Sequence, residues 1–66
     1  MQLAEADRHV ADAERRVAVQ ESRVEQLRWR LQDTTQAERL LSSLEDLLHQ
    51  FRAHRKALAR SRRGSG

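Results

Sequence analysis

Cysteine and proline are absent from this chain, and glycine occurs only at Gly64 and Gly66. Without cysteine there is no disulfide and no thiolate metal site, and the redox compartment is unconstrained. Without proline or internal glycine, nothing ahead of Gly64 forces a helix to break. Aromatic residues are limited to Trp29 and Phe51, and β-branched runs are scarce. Strand-rich domains draw on those residue types, so their shortage points to helix. No apolar run approaches the roughly 20 residues that span a bilayer. The opening Met1-Gln2-Leu3-Ala4-Glu5 lacks the basic and apolar regions of a secretory signal. A cytoplasmic location is therefore expected, with no membrane partner.

What the chain does have is charge: 35% of its 66 residues. That share is high for a globule and ordinary for helices with much of their surface in water. A chain this short supplies one domain at most and rarely a sufficient core, so oligomerisation is the expected remedy. Of the 13 basic residues all but Lys56 are arginine. A GC-rich genome accounts for that bias, as would selection for forked contacts to carboxylate or phosphate.

Leu3, Val10, Val17, Val24 and Leu31 recur at seven-residue intervals. With these at position a of a heptad, position d holds Ala6, Ala13, Gln20, Leu27 and Thr34. The spacing predicts a first helix over about 2–33 with one narrow apolar stripe. His9, Arg16, Arg23 and Arg30 border it at g, and Asp7, Glu14, Glu21 and Arg28 at e. Over Asp33–Glu38 the register fails. Thr35 and Glu38 have the spacing of a capping box, and Asp33 or Thr34 are rival caps. A second helix over about 36–61 follows, after a turn at about 33–35. So short a connection favours an antiparallel hairpin. The rival is one continuous helix with a stutter.

The second helix has the wider apolar face. Leu40, Leu44, Leu47 and Phe51 lie on one line, Leu41 and Leu48 on its neighbour, and Leu58 farther on. One partner helix cannot cover it. The expected architecture is all-α, a two-helix antiparallel hairpin that dimerises into a four-helix bundle and buries those leucines. The residues expected to carry association are Val17, Val24, Leu27, Leu31, Leu40, Leu41, Leu44, Leu47, Leu48, Phe51 and Leu58. Residues 62–66 read as a flexible basic and Gly-Ser tail.

The runs Arg8-His9-Val10, Ala13-Glu14-Arg15-Arg16-Val17, Asp33-Thr34, Ala37-Glu38-Arg39-Leu40-Leu41, Leu44-Glu45 and His54-Arg55 resemble a group of short helical-hairpin proteins common in rhizobia and related alphaproteobacteria. The resemblance covers about residues 8–58. The group is uncharacterised, with no assigned activity, so the resemblance implies a bacterial cytoplasmic protein and no particular chemistry. Its members carry Gly-x before the Asp-Thr pair, which ends the first helix in a left-handed cap. Here Leu31 stands in that place, which favours an extra helical turn or a partly continuous helix.

Catalytic chemistry finds no foothold. His49 and His54 are five apart, off the spacing that puts two ligands on one helix face. A hairpin turning near residue 34 sets His54 level with residues 14–15 and His9 near residue 60. Glu45 and His49 do not form the Glu-x-x-His of a di-iron bundle. Asp12 with Arg15 or Arg16, and Glu25 with Arg28, are ordinary surface pairs. No nucleophile constellation or phosphate loop is present. The expectation is a non-enzymatic interaction or scaffold protein without metal or cofactor, whose partner is itself or another helical protein.

The alternative function rests on Arg52, Arg55, Lys56, Arg60, Arg62 and Arg63, a basic stretch without an acid. Such a helix end suits nucleic-acid phosphates. It also suits the helix dipole and the acids of the first helix. To residue 33 there are seven acids and six bases, and beyond it three acids and seven bases. Trp29 falls opposite the stripe, either as an anchor for a partner, or folded over the turn or packed at the end of the bundle.

Overall fold

The computed structural model describes residues 2–64 and contains two helices packed antiparallel, α1 (Leu3–Trp29) and α2 (Thr35–Gly64). Among the described residues there is no strand. The hairpin measures 55 × 15 × 13 Å.

The break between the helices is the first departure from expectation. α1 stops at Trp29, not near 33, and α2 starts at Thr35. Leu31 N–H donates to Arg28 O at 3.0 Å and Gln32 N–H to Leu27 O at 2.9 Å. Those paired bonds close a Schellman motif with Leu31 at its left-handed position, φ 56°. The absence of glycine there thus does not prolong the helix, and there is no continuous helix. Leu31 tolerates the conformation at a local cost, and its side chain is 95% exposed instead of extending the α1 stripe.

Asp33 starts α2. Its Oδ1 accepts from Thr35 N–H at 2.9 Å and from the Thr35 hydroxyl at 2.7 Å. The Thr35–Glu38 capping box does not form: Thr35 N–H goes to Asp33, Glu38 N–H donates to Thr34 O at 2.8 Å, and the Glu38 carboxylate pairs with Arg28 of α1. At the other end α2 continues through Gly64, so residues 62–64 are helical instead of tail. Arg63 Nε supports that last turn by donating to Ala59 O at 3.4 Å. Ser65 and Gly66, the rest of the expected tail, lie outside the described residues.

The core follows the heptad. Ala6, Val10, Ala13, Val17, Gln20 and Val24 of α1 are buried against α2. Leu48 is the buried apolar side chain of α2, with Leu41, Leu44 and Phe51 packed on it in part. Small residues on α1 let the larger ones of α2 approach closely. Gln20 lies within this seam and ties it to the start of α2: its Nε2 donates to Ala37 O at 2.9 Å. A position that dilutes the stripe on paper becomes a cross-helix bond at the level of the first turn of α2.

Candidate association surface

The seam between the helices has two flanks, and they differ in kind. Residues at e of α1 share one flank with the 38-45-52 line of α2. Here Arg28 pairs with Glu38, Arg52 with Glu14 at 3.3 Å, and Arg55 with Asp7 at 3.6 Å. A groove on this side is lined by Glu14, Ala18, Glu21, Glu45, His49 and Arg52 around Val17 and Leu48. The flank is polar and closed by charge.

Among the described residues no ion pair between the helices closes the opposite flank. Its groove is lined by Val19, Leu40 and Leu44 with Arg15, Arg16 and Gln20. Leu47 and Phe51 continue the Leu40–Leu44 line down α2, three and four residues at a time. Phe51 meets His9 of α1 in a tilted ring contact, centres 5.3 Å apart and planes at 46°. Leu40 remains 51% exposed and Leu47 37%. Val19, 65% exposed, adds a branched side chain from α1. Arg15 and Arg16, at its rim, each pair with Asp12 of their own helix, at 3.3 and 3.1 Å.

The expected association residues thus divide. Val17, Val24 and Leu48 are buried inside the hairpin. Leu27, Leu41, Leu44, Phe51 and Leu58 are half-buried, while Leu40 and Leu47 face outward. Leu31 lies at the turn, apart from both flanks. Val19 was not among the expected residues. It sits off the heptad stripe, and its signal is a bulky apolar residue on an otherwise charged face.

The basic stretch of α2 divides likewise. Arg52 and Arg55 are drawn onto acids of α1, which the charge balance between the two segments anticipates. Lys56 and Arg60 make no ion pair among the described residues, and Arg63 caps its own helix end. Trp29 is 88% exposed, so it does not fold over the turn. Arg28 meets Glu38 instead of Glu25.

Among the described residues no three His, Asp or Glu side chains gather as a metal site. His9 lies beside Phe51, not level with residue 60, because the earlier end of α1 shifts the register. The Asp33 carboxyl is held below its ordinary value by the Thr35 hydroxyl and then by the Thr35 N–H. That shift belongs to a helix cap. No described helix is long and apolar enough to cross a membrane. No family model, no curated protein and no solved structure matches this chain.

Proposed function

We propose that the protein is a non-enzymatic interaction module that self-associates through its open apolar flank, two hairpins making a four-helix assembly. The observation that carries this reading is the unequal cover of the two helices. Along the stripe from Ala6 to Val24, α1 is buried by α2, whereas α2 keeps Leu40 and Leu47 in water. The hairpin exposes 5444 Å². A compact monomer of this mass would expose about 4,300 Å². The excess is comparable to the roughly 800 Å² each partner buries in an ordinary interface. The basic stretch is assigned to cohesion of the hairpin, with nucleic-acid binding set aside because Arg52 and Arg55 already face carboxylates. Kinship with the rhizobial group and a cytoplasmic location fit this reading without adding to it.

Sedimentation equilibrium tests it. The wild-type chain should form dimers at micromolar concentration. A Leu40→Asp/Leu47→Asp variant should be monomeric yet helical, because neither residue belongs to the hairpin core. A wild-type chain that stays monomeric at high-micromolar concentration overturns the reading.

A further inference from the structure

The open flank has a repeat that sets how two copies would meet. Leu40 and Leu47 stand two helical turns apart on one line of α2, with the small exposed Ser43 between them. Immediately before them in sequence stand Arg39 and Asp46, both exposed. Neither has an ion-pair or hydrogen-bond partner among the described residues. They occupy the edge of the Leu40–Leu47 line that faces away from α1. We propose that two copies pair α2 to α2 in antiparallel register about a two-fold axis beside Ser43 and Leu44, with Arg39 of each copy against Asp46 of the other. This register rests on the reading of the flank as a self-association surface.

Three physical points select it. An axis midway between Leu40 and Leu47 sets each of them against the other in the second copy, so both outward leucines are covered at once. Ser43 then lies beside the axis, where a small side chain lets the backbones approach. Equivalent edges of two antiparallel helices face each other, which brings Arg39 to Asp46 twice. A parallel pair instead turns Arg39 of one copy toward the α1 side of the other, where Arg15 and Arg16 stand. Opposite charge at the seam edge is the usual selector of helix orientation. On the inner side α1 contributes Arg23, whose like charge in the two copies disfavours contact between the α1 helices. The copies therefore meet through α2 and splay at α1.

The absence of native cysteine makes cross-linking a direct test. In the antiparallel register Ser43→Cys lies next to its own copy, and oxidation should give a disulfide-linked dimer. Leu47→Cys lies about 10 Å along the axis from its counterpart, beyond disulfide reach. It should cross-link far less. In a parallel pair both variants would link alike. Charge reversal gives a second readout. Arg39→Asp and Asp46→Arg should each raise the dimer Kd roughly tenfold by making two like-charge contacts, and the double variant should restore it. A dimeric wild-type chain in which Ser43→Cys links no better than Leu47→Cys, or in which the double reversal fails to restore affinity, overturns the register and leaves self-association standing. A monomeric wild-type chain overturns both.

Discussion

Leu31→Gly should stabilise this protein, and the sign of its effect is decisive. Leu31 adopts φ 56° with its side chain 95% exposed. A left-handed conformation costs a residue with a Cβ about 1–2 kcal/mol. Removing the exposed side chain forfeits almost no burial. Glycine brings back an entropic cost of roughly 0.5–1 kcal/mol in the unfolded chain. The net gain is about 0.5–1 kcal/mol, or about 2–8 °C in Tm for a domain of this size. Thermal unfolding followed by far-ultraviolet circular dichroism, at one protein concentration for all variants, measures it. Leu31→Ala is the control: it keeps the Cβ and should melt close to wild type. Were α1 to run on through residue 31, glycine there would cost about 1 kcal/mol. A lower Tm for Leu31→Gly, or an equal gain in Leu31→Ala, would refute the left-handed cap.

Gln20→Leu should keep or raise stability, since the Ala37 carbonyl retains its helical bond, whereas Gln20→Ala should lose about 1–2 kcal/mol to the void and the missing contact; denaturant titration separates the two, and equal loss in both would show that the amide itself holds the seam. The stabilisation from Asp33 should be pH dependent. Its folded pKa lies below 3.8, so the contribution is complete above that value and disappears as pH falls through the folded pKa. The Tm gap between wild type and Asp33→Ala should be full at neutral pH and close in acid, and a gap constant with pH would show the cap to be unimportant. A double-mutant cycle on Glu14 and Arg52, both about half exposed, should return a coupling below about 1 kcal/mol that fades in high salt; a larger, salt-insensitive value would mean the pair is shielded from water.

The sequence carried the hairpin well and its turn poorly, for a physical reason. The heptad from Leu3 to Val24 repeats often enough that its buried side follows from period alone, and the extra width of the Leu40–Phe51 face is equally plain. A turn is decided by two or three residues. At Leu31 the usual signal is replaced by a side chain that normally argues against it, and only the paired bonds from Leu31 and Gln32 reveal the stop. The capping residue was similarly open, since Asp33, Thr34 and Thr35 all have the chemistry. Asp33 takes both the N–H and the hydroxyl of Thr35, and the N–H of Glu38 goes to the Thr34 carbonyl, so neither half of a Thr35 box is free to form. The open flank was half legible. Leu40 and Leu47 follow from periodicity, but that Val19 joins them depends on the register between helices, which no local pattern encodes.

The two flanks also say what the surface charges are for. Exposed ion pairs such as Glu14–Arg52 and Asp7–Arg55 stabilise a fold by little, so three of them on one side are a weak reason for the hairpin to hold. They matter more for what they exclude. Asp7, Glu14 and Arg28 at e of α1 meet Arg55, Arg52 and Glu38 of α2 only when the helices run antiparallel and α2 lies on the correct side, so the pairs select one hairpin over its mirror arrangement. They also put charge over the flank where a further helix would otherwise settle. Of the two flanks only one then keeps an open apolar groove, and under the proposed self-association a chain with one adhesive flank closes as a pair, whereas a chain with two would extend into an open array. In the proposed self-association the ion pairs limit assembly, and the leucines drive it.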